Sequence, residues 1–115
     1  ESGIDVILEK GLGEGKKSEI CSRAIEIMTS ILATEAGNTA LQFVATGGVY
    51  LGGWVSRRLL PVLKKPEFAK TFREKGGMSE LLSNMPVHVI LNENCPMIGA
   101  AAYGFRLMGE KISPR

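Results

Sequence analysis

Gly47-Gly48-Val49-Tyr50-Leu51-Gly52-Gly53 sets three strand-forming residues between two glycine pairs. β-Branched and aromatic residues suit a pleated backbone, and glycine pairs suit tight turns. The stretch therefore predicts a short buried strand with a turn at each end. A helix is predicted from Val55, carrying Leu59, Leu60 and Leu63, with Pro61 disturbing it because proline removes a backbone donor. A second strand is predicted after Pro86, at Val87-His88-Val89-Ile90-Leu91. That near-continuous apolar run reads as a strand buried on both faces, as in a sheet covered by helices. His88, the single histidine, is expected to be structural, because spacing places no carboxylate or nucleophile beside it.

Outward from these strands the pattern is helical. Ser2-Gly3-Ile4-Asp5 reads as a capping box opening a short helix that Gly11 and Gly13 end. A long helix is predicted from Ser18 to about Phe43, with a bend at Gly37-Asn38. Ile20, Ala24, Ile27, Met28, Ile31 and Leu32 form its inward stripe, widened by Cys21 and Ile25, while Glu19, Arg23, Glu26 and Glu35 face away. Pro66 suits a first helical position, and Phe68 and Phe72 share a face four residues apart. Gly76-Gly77 stops that helix. Met78 to Asn84 follows as a short helical turn with Leu81 and Leu82 inward. Pro96 opens a last helix with Ile98, Ala101, Ala102, Phe105 and Met108 on one face. Strands alternating with helices imply α/β layering. Two strands are too few for an independent sheet, so its remaining strands are expected in sequence outside this chain.

Composition narrows the function. The 115 residues are 44% hydrophobic and 23% charged, the balance of one small globular domain. Net charge is only +2, and Glu67 and Glu74 interrupt the basic cluster from Arg57 to Lys75. A solvated face is expected there and no nucleic-acid partner. No apolar run approaches about 18 residues, so no membrane span is expected. Cys21 and Cys95 lack metal-ligand spacing and are expected as buried thiols, which fits a reducing, cytoplasmic compartment. No metal site is expected. The chain does not begin with Met, as truncation or processing would leave it.

Two glycine-rich loops are candidate phosphate or nucleotide sites. Gly11-Leu12-Gly13-Glu14-Gly15-Lys16-Lys17-Ser18 departs from the phosphate-loop pattern, with Lys10 in the first glycine position and Lys17 in the Ser/Thr position. A helix also precedes it, where a strand belongs. Gly52-Gly53 is better placed, between the carboxyl end of a strand and a helix, the edge at which open α/β sheets bind ligands. Absent side chains let a flat base or a phosphate approach the backbone. A tight strand-to-helix turn without a ligand accounts for the same residues.

The quoted stretch resembles the adenosine-side motif of bacterial-type glucokinases, members of the actin-like ATPase superfamily. Ala36-Gly37-Asn38-Thr39-Ala40-Leu41 resembles the family's Gly-Asn-x-Ala-Leu helix. Phe68 to Phe72 followed by Lys75-Gly76 resembles its Phe-x-x-x-Phe…Lys-Gly segment. Met85-Pro86-Val87-His88-Val89-Ile90 resembles its Ile-Pro-Val strand, and Ile98-Gly99-Ala100-Ala101 the start of its last helix. These motifs stand in family order across roughly Ile20 to Leu107.

The resemblance implies an α/β fold, a partial actin-like ATPase (RNase H-like) domain with helices packed on a fragmentary sheet. Residues 1–95 are then the C-terminal part of the large domain, and 96–115 a last helix returning to a missing N-terminal domain. It implies an ATP-dependent glucokinase that transfers phosphate to the 6-hydroxyl of glucose, using ATP and Mg²⁺. The catalytic residues, Mg²⁺ ligands and glucose contacts fall in the missing part, so this segment alone is expected to be inactive. Gly48, Gly52, Gly53 and Trp54 are the expected nucleotide-binding residues. Trp54 stands where the family has a third glycine; it could stack on adenine, fill space or obstruct the nucleotide. ATP or ADP is the expected partner, with a homodimer formed where the last helix lacks its domain. A kinase for another hexose, or a non-catalytic nucleotide-binding or protein-interaction module, is the alternative.

Overall fold

The computed structural model describes residues 3–15 and 18–109. In order these form α1 (Gly3–Leu12), α2 (Glu19–Phe43), β1 (Val49–Leu51), α3 (Trp54–Arg58), α4 (Leu60–Leu63), α5 (Pro66–Arg73), a 3₁₀ turn (Gly76–Met78), α6 (Ser79–Ser83), β2 (Val87–Val89) and α7 (Cys95–Leu107). The fold is a mostly helical α/β arrangement around a two-stranded parallel sheet. Val49 pairs with Val87, Tyr50 with His88 and Leu51 with Val89. Parallel strands need a long crossover, and here α3 to α6 supply it.

Local chemistry explains most boundaries. Ser18 caps α2, its hydroxyl accepting from the Cys21 N–H at 3.5 Å. α3 and α4 meet at Leu59, with Pro61 in the first turn of α4, where its missing N–H costs least. Pro66 opens α5 in the same way. Ser2, the first residue of the expected capping box, lies outside the described residues, as do Lys16 and Lys17 of the first glycine-rich loop. Gly11 does not end α1. It is buried inside the helix, where an added Cβ would collide with Ile25 Cδ1 and lie 3.1 Å from the Cys21 backbone.

α2 runs unbroken as helix through Gly37-Asn38. Its glycine serves a crossing: a Cβ on Gly37 would lie 2.5 Å from the Phe72 carbonyl oxygen of α5. Beside it Lys75 Nζ donates to Asn38 Oδ1 at 2.6 Å and to the Thr34 carbonyl at 3.2 Å. Asn38 Nδ2 in turn donates to Glu35 Oε1 at 3.1 Å. The Gly-Asn and Lys-Gly motifs thus meet in space.

The core gathers Leu8, Ile25, Ala33, Ala36, Ala40, Leu51, Leu59, Leu63, Phe68, Phe72, Leu82 and Met85. This corrects the expected face of α2. Ile25, Thr29, Ala33, Ala36, Gly37 and Ala40 are buried, whereas Ile20, Ala24, Ile27, Met28 and Ile31 are exposed. Small residues win the inner face because α1 and α5 cross it closely. The expectation for β2 is also corrected, because helices cover only the Val49, Leu51, Val87 and Val89 face. On the other face His88 is exposed and stacks on Tyr50, ring centroids 5.0 Å apart. Leu81 is exposed and only Leu82 turns inward. Both cysteines are half-buried, not buried, for Cys95 opens a helix with no cover. None of α7's residues is buried, and the radius of gyration is 17.1 Å, above the ~13 Å of a compact chain of about 100 residues.

α2 closes on Val44, at φ 46° and ψ 53°. The left-handed region is a poor one for a β-branched residue, costing about 1–2 kcal/mol. The turn is held by Ala45 N–H to the Ala40 carbonyl at 2.9 Å, a helix-end pattern that glycine usually serves. Val44 is 57% exposed, so its side chain contributes little burial. Val44→Gly is expected to stabilise the chain by about 1 kcal/mol, after the glycine's own entropy cost. A rise in the urea midpoint at constant slope is the result to look for; an unchanged or lower midpoint would contradict it.

Candidate functional site

Parallel pairing brings the carboxyl ends of β1 and β2 to one edge. Two segments emerge there, the Gly52-Gly53 turn and residues 90–94. Ile90 N–H donates to the Leu51 carbonyl at 2.9 Å, carrying the pairing to this edge. The buried Ser56 hydroxyl donates to the Gly52 carbonyl at 3.0 Å and folds α3 back on the turn. Arg57 Nη2 meets Glu93 Oε1 at 3.1 Å and ties the two segments together.

The glycines here differ in kind. Gly53 sits at φ 91° and ψ 164°, a conformation essentially reserved for glycine. The fold itself therefore requires it. Gly52 has no positive φ, and an added Cβ would touch only Ile90 Cδ1 at 3.7 Å. Neither its backbone nor its neighbours demand a glycine, and it is exposed at the edge. Trp54 follows, 43% exposed, and is the single tryptophan.

The structure gathers Gly52, Gly53 and Trp54 but not Gly48. Gly48 lies at the opposite end of β1, about 13 Å away along the strand. Its φ is 111°, and an added Cβ would lie 3.1 Å from the Pro86 carbonyl and 3.2 Å from His88 Cδ2. Strand entry beside Pro86 explains that glycine.

Two cavities of about 490 Å³ lie elsewhere. One separates α2 from α4 and α5, and the other is lined by α5, Met85 and the inner face of the sheet. Among the described residues no group of three or more His, Cys, Asp or Glu could hold a metal ion. No described helix is long and apolar enough to cross a membrane. The Arg57–Glu93 bridge was not legible in the sequence, because its partners lie on different segments and no local spacing joins them.

Comparison with known proteins converges on one family. A family model described as Glucokinase matches residues 5–106. The chain is similar to the Glucokinase of Nostoc sp. (strain PCC 7120), 36% identical over 88 residues, which are 76% of this chain and 26% of that protein. It is 39% identical to the Glucokinase of Saccharophagus degradans over 85 residues, 74% of this chain and 26% of the relative. For the Glucokinase of Synechocystis sp. the figures are 37% over 82 residues, 71% of this chain and 23% of the relative. The chain spans about a quarter of the length of the curated relatives it matches.

Proposed function

The chain belongs to the glucokinase family, and from that premise we propose that it is the C-terminal, nucleotide-side segment of an ATP-dependent glucokinase, part of an actin-like ATPase domain. The observation that carries the nucleotide reading is Gly52. It is open at the carboxyl edge of parallel strands, and its own packing gives no reason for a missing side chain. In this reading the adenosine of ATP approaches the backbone at Gly52-Gly53 and lies beside Trp54. Arg57 and Glu93 hold the turn against residues 90–94 while the base is bound.

Bound ATP supplies the phosphoryl group, and Mg²⁺ would screen its charge. The described residues offer no cluster for that ion, so no metal step is assigned to this segment. The general base for the glucose hydroxyl, the phosphate cradle and the glucose contacts belong to the rest of the enzyme, a cytoplasmic kinase. α7 belongs against that remainder. Its apolar residues Ile98, Phe105 and Met108 are exposed here and would be covered there, so that 1–95 and 96–115 serve different domains.

Trp54 reports on the site directly. ADP titration is expected to change its fluorescence saturably. Gly52→Ala is expected to weaken ADP at least tenfold, about 1.4 kcal/mol, with the urea midpoint unchanged because the added methyl would make only an ordinary van der Waals contact, with Ile90 Cδ1 at 3.7 Å. No response to ADP, or an unaltered response in the variant, would overturn the nucleotide site. Glucose-dependent ADP formation tests the division of labour: an active full-length parent and a silent 115-residue chain are expected. An active chain would overturn it.

A further inference from the structure

We propose that Arg57 and Glu93 are positioning residues: their ion pair sets the direction in which α7 leaves the sheet, and with it the seat that α7 offers the rest of the enzyme. The inference rests on the reading above that α7 belongs against that remainder. Within this chain α7 has little else to hold it. None of its residues is buried, and no described element packs extensively along it. Its direction is therefore set at its root, residues 90–94. Strand pairing ends with the Ile90 N–H on the Leu51 carbonyl. Beyond that point the root turns on itself: Asn94 N–H donates to Asn92 Oδ1 at 2.9 Å, and Cys95 N–H to the Asn92 carbonyl at 3.2 Å. Among the described residues, Arg57 Nη2 to Glu93 Oε1, at 3.1 Å, is the one hydrogen bond or ion pair that joins residues 91–109 to the remainder of the chain.

The two partners are unequal. The Arg57 side chain is 22% exposed and that of Glu93 79%. Arg57 also stands on a firm base. Ser56 closes α3 onto the Gly52 carbonyl, the next turn ends in the fully buried Leu59, and Arg58 meets Asp5 of α1 at 3.9 Å. The guanidinium is thus the fixed post, and Glu93 brings the root of α7 to it. A planar guanidinium presents its donors in a rigid fork, so it fixes a direction as well as a distance.

A small error at the root is magnified along the helix. From Cys95 to Leu107 α7 rises about 18 Å, so a swing of about 10° at its root displaces Leu107 by about 3 Å. The exposed Ile98 and Phe105 would then miss the surface they are to meet. A misplacement of about 1 Å, even far from the chemistry, is enough to slow an enzyme about a hundredfold. An ion pair with so exposed a carboxylate adds little to folding stability. Its effect falls on geometry.

Spin labels read the direction of α7. With Cys21 and Cys95 changed to Ser, Lys64→Cys and Tyr103→Cys place one label at the end of α4 and one on α7, both at exposed positions. Labelled chain is diluted into excess unlabelled chain, so that only distances within one chain are measured. A narrow distance distribution is expected. Glu93→Gln and Arg57→Gln should each broaden it, and the double variant should broaden it no further, because one interaction is lost in all three. In the full-length enzyme each of the three should lower kcat about fivefold with the urea midpoint unmoved. The KM for ATP should change by less than about twofold, because Ser56 keeps the turn closed without the pair. A distribution as broad with the pair as without it, an unchanged kcat, or additive losses in the double variant overturns the proposal. The label distance needs no nucleotide, so a silent Trp54 titration would count against the nucleotide turn alone.

Discussion

Phe72→Ala is expected to cost the chain about 3 kcal/mol of stability and roughly 15 °C in Tm. Phe72 is 2% exposed, on α5 beneath the sheet and against α2. Truncating a buried phenylalanine usually costs about 3–5 kcal/mol, part of it for the cavity left behind. Here Phe72 already borders the cavity at the inner face of the sheet, so the surrounding wall can relax into the new space. That places the cost at the lower end. Typical domains hold only about 5–15 kcal/mol in all, and this one has a sheet of two strands among its described residues. Urea unfolding followed by circular dichroism is the measurement. A loss under about 1 kcal/mol would mean that α5 is not the anchor of this core.

Gly37→Ala is expected to lower stability by about 2 kcal/mol, against its own helix propensity. Inside a helix the exchange normally gains about 1 kcal/mol. At this position the new methyl would sit 2.5 Å from the Phe72 carbonyl oxygen and 2.9 Å from Lys75 Cε. The lysine can swing aside, but the backbone of α5 cannot. The two helices must part, and Lys75 then loses its reach to Thr34 and Asn38. Gly104→Ala in α7 is the control, since nothing lies within 4 Å of an added Cβ there. It should be neutral or stabilising. If both substitutions stabilise, close packing at the α2–α5 crossing is not what Gly37 serves.

What the sequence made legible, and what it hid, follows from physical cause. Val49–Leu51, the Pro61 break, the Pro66 start and the Phe68–Phe72 pair were all readable, because each rests on short-range rules of propensity, donor loss or helical spacing. The turn at Gly52-Gly53 was readable for the same reason. The inner face of α2 was not. Periodicity reports that apolar residues recur, but a helix with two opposite apolar sides presents the larger residues first, and here they are the uncovered ones. Only the crossings at Gly11 and Gly37 show why Ala33, Ala36 and Ala40 won the interior. Gly48 was grouped with the edge glycines by motif, yet a strand separates them. The exposure of His88 depended on which face of the sheet the helices cover, a long-range fact with no local signature.

The register that joins Val49 to Val87 also governs the order in which this molecule can assemble. Neither strand has another partner among the described residues, so no β pairing forms until everything from Gly52 to Pro86 has been looped out. Closing a loop of that length costs about 3 kcal/mol before any pairing returns it. The intervening helices must therefore condense first, with Phe68 and Phe72 collapsing onto α2 and drawing the loop ends together. Substitutions in α5 should then slow folding, whereas those at the Gly52-Gly53 turn should act mainly on unfolding. During synthesis of this chain β1 leaves the ribosome well before β2, its one strand partner among the described residues, exists. Its brevity, three residues bounded by glycines, limits the time-dependent risk that such an unpaired edge carries.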